Sequence, residues 1–157
     1  MLKYLNTQVT FAEVPDEITL CINITGCKNG CKNCHSSYLA QDIGTELTFN
    51  EVRKLIKKNS GISCIAIMGG DAEPDKINTL ASFIINHYNS IKVAWYSGRQ
   101  ELSNHIDLCN FDYIKLGPYK EEFGPLNSRT TNQRFYKVNG KELVDITSKF
   151  WKHETEN

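Results

Sequence analysis

Four short apolar runs in this chain each stop at a glycine-bearing turn, and helical patterns separate them. Glu17 to Ile24 has alternating and β-branched character and ends at Thr25-Gly26, so it reads as a strand. Cys64 to Met68 is a continuous apolar run, as a buried parallel strand requires, and Gly69-Gly70-Asp71 ends it. Ile91 to Tyr96 ends at Ser97-Gly98-Arg99, and Phe111 to Leu116 stops at Gly117-Pro118. Between the first two, Thr48-Phe-Asn-Glu51 fits a capping box, with Val52, Leu55 and Ile56 at helical spacing behind it and Gly61 as the stop. A second helix is predicted from Asp75 to about Tyr88, with Ile77, Leu80, Ala81 and Ile84 on one face, and a short third from Glu101 to Leu108. Strands alternating with helices in this order predict an α/β fold with a mostly parallel sheet and crossover connections. Near the end, Arg134 to Val138 and Glu142 to Ile146 flank Asn139-Gly140, a hairpin signal that would finish the sheet.

With 157 residues and no internal repeat or long linker, residues 1–157 read as one domain around one core. Eighteen basic residues balance eighteen acidic ones, which argues against nucleic acid or a membrane surface as a partner. No stretch approaches the roughly 18 apolar residues of a membrane span, and the first residues lack a signal-peptide core, so the expected location is the cytoplasm. Thiols stay reduced there, which makes six cysteines ligands, core residues or redox groups rather than a disulfide framework.

Three of the six crowd into Cys27-Lys-Asn-Gly-Cys31-Lys-Asn-Cys34, directly after the first predicted strand. A structural zinc takes four closed ligands, and a 4Fe-4S cluster held by four thiolates mainly passes electrons. Three thiolates on such a cluster leave one iron open to a small molecule. The competing reading is a zinc knuckle with His35 as fourth ligand, although His35 is adjacent to Cys34 and neighbouring residues rarely bind one metal. Lys28 and Lys32 would offset cluster charge or simply be solvated. Cys21, Cys64 and Cys109 lie on apolar segments and read as buried small hydrophobes. Ligands of parallel α/β sheets sit beyond the carboxyl ends of the strands, so the cysteine loop and the three later turns should share one face.

The C-x3-C-x2-C run after a first strand resembles the signature of the radical S-adenosylmethionine (SAM) enzymes. The resemblance implies a small, incomplete (βα) barrel in which Cys27, Cys31 and Cys34 hold a 4Fe-4S cluster and SAM chelates the open iron. One electron from the cluster would then cleave SAM to methionine and a 5′-deoxyadenosyl radical. Most members carry an aromatic residue before the third cysteine, near the adenine; here it is Asn33, with His35 or Tyr38 as substitutes. Gly69-Gly70-Asp71 resembles the turn whose backbone and acid meet the SAM ammonium, and Ser97 and Arg99 are candidates for its ribose or carboxylate. Gly117-Pro118-Tyr119, followed by Asn127 to Arg134 with Asn132-Gln133-Arg134, is similar to segments of the activating proteins of anaerobic ribonucleoside-triphosphate reductase. What this implies is a glycyl radical formed on the large reductase subunit, with a flavodoxin-like or other low-potential donor supplying the electron. Another small radical-SAM enzyme, or a non-catalytic metal-binding module, are the alternatives.

Overall fold

A computed structural model describes residues 2–26 and 43–151. The cysteine segment 27–42, which holds Cys27, Cys31, Asn33, Cys34 and His35, lies outside the described residues. The described chain forms eight strands and two α-helices: β1 (Lys3–Thr10), β2 (Thr19–Ile24), β3 (Thr45–Glu46), α1 (Phe49–Lys58), β4 (Cys64–Met68), α2 (Pro74–His87), β5 (Lys92–Tyr96), β6 (Tyr113–Leu116), β7 (Arg134–Asn139) and β8 (Glu142–Asp145). All eight strands join one mixed sheet in the order β3-β1-β2-β4-β5-β6-β7-β8.

The centre of that sheet and its C-terminal flank are as the sequence predicts, and its other flank is not. The pairs β2–β4, β4–β5 and β5–β6 are parallel. The pairs β1–β2, β1–β3, β6–β7 and β7–β8 are antiparallel, so four of the seven pairings are antiparallel and the mostly parallel sheet is corrected to a mixed one. The difference comes chiefly from β1, whose polar Asn6, Thr7 and Gln8, beyond the short β3 pairing, hide its strand character. An antiparallel neighbour needs only a short connection, here residues 11–18, whereas a parallel one needs a crossover of about a dozen residues or more. The C-terminal hairpin forms as expected, with Asn139 opposite Glu142.

The helices follow their local signals. Thr48 caps α1, its side chain accepting from Glu51 N at 3.1 Å, and the Glu51 carboxylate accepts from Tyr4 Oη at 2.6 Å, which ties α1 to β1. Pro74 opens α2, where its missing N–H costs nothing. The third helix expected over Glu101–Leu108 is absent among the described residues, and only a short 3-10 turn at Leu108–Asn110 forms there. Side chains compete with the helix in this stretch: Ser103 Oγ accepts from His105 N, and Asp107 Oδ1 accepts from Cys109 N.

Strand alternation divides the core into two layers. Leu20, Ile22, Ile24, Ile65, Ile67, Val93, Trp95 and Ile114 face α1 and α2, whose Val52, Leu55, Ile77, Leu80, Ala81 and Ile84 bury against them. The alternate residues Cys21, Cys64, Ala66, Ala94, Tyr96, Tyr113 and Phe135 form the other layer, capped by Val14, Leu126, Ile146 and Phe150 and by no α-helix among the described residues. The link from β5 to β6 also packs on the helical face through Ile106 and Phe111. The parallel strands are therefore added in one direction, with α1, α2 and the described β5–β6 link on one face. Doubly wound sheets reverse direction and place helices on both faces. This sheet is singly wound and open, since β3 and β8 lie at opposite edges of the strand order.

Candidate functional site

The carboxyl ends of β2, β4, β5 and β6 meet along one rim, and backbone hydrogen bonds continue past the strands. Gly69 N donates to Tyr96 O at 2.9 Å, Ser97 N to Lys115 O at 2.9 Å, and Gly117 N to Arg99 O at 2.7 Å. Gly69 and Gly70 both have positive φ, 101° and 88°. A side chain on Gly70 would also stand 2.5 Å from Ile77 Cδ1, so conformation favours glycine here and any larger residue would have to displace Ile77. The Gly69 turn lies against the end of β2, with its Cβ position 3.6 Å from Ile24 O. Behind the turn, Trp95 Nε1 donates to Gly69 O at 2.7 Å, which anchors it from the helical layer.

Asp71 and Ser97, both singled out by sequence, are brought together. Asp71 is buried, and its Oδ1 accepts from Ser97 Oγ at 2.5 Å while its Oδ2 accepts from Gly98 N at 2.8 Å. Ser97 Oγ in turn accepts from Arg99 N at 3.1 Å. A buried carboxylate is tolerable only when such donors replace water. Asp71 thus fixes the β5 turn through both of its carboxylate oxygens. Arg99 enters through its backbone, and its side chain is on the exposed surface with no helix starting there.

Two residues of the rim were not singled out by their sequence. Lys115, on β6, is buried, and its Nζ donates to Ser97 O and to Gly117 O, both at 2.9 Å. The ammonium also lies 5.8 Å from the centre of the Tyr96 ring, a cation–π distance. Glu13, from the β1–β2 connection, faces the same layer. Burial raises its carboxyl above the usual range, and the nearby Lys115 charge partly opposes that rise. Tyr96 Oη donates to Glu13 O, and its phenol is held well above its ordinary value, first by burial and then by Glu13. A lone lysine inside the apolar run Phe111–Leu116 was the available signal for Lys115. Nothing local marked Glu13, because its neighbours come from β5 and β6.

The segment Asn132-Gln133-Arg134 packs on the β6 turn. Asn132 Nδ2 donates to Pro118 O at 3.0 Å, and Gly117 leaves only 3.1 Å between its Cβ position and Gln133 Cα. Gln133 is buried, its backbone N donating to Thr131 Oγ1 at 3.1 Å. Arg134 begins β7 and pairs loosely with Asp145 at 3.7 Å. These contacts brace the rim from the antiparallel side of the sheet.

Cysteine thiolates are the donors that iron–sulfur clusters take, and the other three cysteines are placed unlike ligands. Cys21 and Cys64 are buried in the second layer, where burial pushes both thiols up, that of Cys21 to about 12. Cys109 is exposed, not buried as its sequence suggests, because the 3-10 turn points it outward. Among the described residues no cluster of three or more His, Cys, Asp or Glu could hold a metal ion. No helix there is long and apolar enough to cross a membrane. Compared with known proteins, the chain matches no protein-family model, no curated protein and no solved structure.

Proposed function

We propose that this chain is a radical-SAM activase that forms a glycyl radical on anaerobic ribonucleoside-triphosphate reductase. One juxtaposition carries the reading. β2 stops at Ile24, three residues before Cys27, and its parallel neighbour β4 runs directly into Gly69-Gly70-Asp71. Cys27, Cys31 and Cys34 would hold a 4Fe-4S cluster with one iron left to SAM, beside a turn whose glycines admit a ligand to the main chain. When bound, cluster and SAM supply a 5′-deoxyadenosyl radical able to take the α-hydrogen of a glycine, using one electron from a flavodoxin-like or other low-potential donor. The chain's own part is placement and dryness: Asp71 and Ser97 fix the two turns, and the buried layers beneath exclude water. A singly wound, open sheet suits a protein loop as substrate better than a closed pocket would. Asn33, His35 and Tyr38 remain the candidates for the adenine.

The test is anaerobic reconstitution, with SAM cleavage and electron paramagnetic resonance as readouts. About four irons per chain, SAM cleavage on reduction, and a glycyl signal when the reductase is added are expected. Cys27→Ala, Cys31→Ala and Cys34→Ala should each abolish cleavage. One zinc per chain with no SAM cleavage would sink the proposal.

A further inference from the structure

Lys115 stands out because an apolar side chain would fit its position more cheaply. Its layer is lined by Ala94, Tyr96, Tyr113 and Phe135, and it is 8% exposed. Replacing a buried charge by an apolar residue of similar volume is often neutral or stabilising. What the ammonium provides is geometry. Carbonyls at the carboxyl end of a parallel sheet have run out of ladder and need donors. Lys115 Nζ supplies them to Ser97 O and Gly117 O, on two different turns. Lys115 also holds Ser97 from the other side of its peptide, because its own carbonyl accepts from Ser97 N. Ser97 is therefore bracketed at both backbone groups by one residue, which leaves its hydroxyl aimed at Asp71. Three strand ends become one unit: Asp71 after β4, Ser97-Gly98 after β5, and Gly117 after β6.

We propose that Lys115 is the positioning residue of this rim, locking the β5 and β6 turns so that Ser97 and Gly98 meet Asp71 in the arrangement that receives SAM. This rests on the reading of the rim as the cofactor site.

Residue-resolved amide hydrogen exchange on the metal-free full chain tests it, with Lys115→Met against the unchanged protein. Gly98 N donates to Asp71 and Gly117 N to Arg99 O, so both report on the turns. Their exchange should quicken about tenfold or more, the effect of losing one charge-assisted hydrogen bond. Ala66 and Ile67, in the central strand β4, should keep their protection. In the reconstituted protein the KM for SAM should rise more than kcat falls. Unchanged protection at Gly98 and Gly117, or an unchanged KM, would overturn the proposal. Should Lys115→Met fail to fold, Lys115→Gln, which keeps amide donors on a shorter side chain, takes its place with the same two outcomes. If the unchanged protein holds no cluster and cleaves no SAM, the cofactor reading falls by itself, and the exchange ratio alone decides for or against the lock.

Discussion

Ser97 Oγ donates to Asp71 Oδ1 at 2.5 Å, joining the ends of two parallel strands through side chains that are 1% and 4% exposed. Asp71 takes a second bond from Gly98 N, so the carboxylate fixes both a side chain and a backbone group of the β5 turn. A short, charge-assisted contact in so dry a place contributes more than a surface pair does.

Ser97→Ala should lower the stability of the metal-free chain by about 2 kcal/mol, and Asp71→Ala by more, since two donors then lose their acceptor. The double variant should cost less than the sum, with a coupling of about 1 kcal/mol or more in urea unfolding. Strict additivity would mean that the two residues act separately. In the reconstituted protein, Asp71→Ala should weaken SAM binding more than it lowers iron content. Equal loss of both would make Asp71 a structural residue only.

The glycine turns separate two costs that are usually mixed. Gly61 has φ of 92° with nothing within 4 Å of its Cβ position, so Gly61→Ala carries backbone strain alone, about 1 kcal/mol. Gly117 has φ of 107° and backbone only 3.1 Å away at Gln133 Cα. Gly117→Ala should therefore cost clearly more than Gly61→Ala, and the excess measures the close packing of the Asn132-Gln133 segment on the rim. Equal costs in thermal or urea unfolding would show that this segment gives way freely.

The difference between these turns and the rest of the chain explains what could be read in advance. β4 and α1 are local: an unbroken apolar run, and a Thr48 cap three residues before Glu51. Strand ends announce themselves through glycine, so the four-turn rim is visible before any packing is known. Which turns touch is decided by strand order, and order is set by non-local pairing. Asp71 reads as an acceptor for a ligand, but its bonds to Ser97 and Gly98, residues 26 and 27 positions away, depend on β4 lying beside β5. β1 is hidden for another reason: past its two-residue pairing with β3 it has no neighbour on that side among the described residues, and such a strand can be as polar as a loop.

Cysteine reactivity should follow the same division. Cys21, with its thiol pushed up to about 12, has only about one part in ten thousand as thiolate near pH 8, and burial shields it further. Cys64 is fully buried and shifted in the same direction. Cys109 is exposed. Brief alkylation of the native chain, mapped by mass spectrometry, should modify Cys109 and spare Cys21 and Cys64. Early labelling of either buried thiol would show that the second layer opens without global unfolding.

Glu13 makes stability depend on pH in a direction opposite to that of an ion-paired carboxylate. Burial raises its folded-state pKa above the ordinary 4.5, with Lys115 opposing the rise. Below that ordinary value both folded and unfolded chains hold the proton. As pH rises past it, the unfolded chain releases the proton first, so folded protein is progressively disfavoured until Glu13 ionises in place; above that point the deficit is constant. Glu13→Gln cannot titrate. The unfolding free energy of the unchanged protein should therefore fall relative to Glu13→Gln as pH rises past the ordinary 4.5, then run parallel to it once Glu13 has ionised in the folded chain. Combining each with Lys115→Met should deepen the fall, because the Lys115 charge that favours the ionised form is gone. A rise in place of the fall would mean that attraction to Lys115 outweighs burial, and that Glu13 and Lys115 meet in the second layer as a true ion pair.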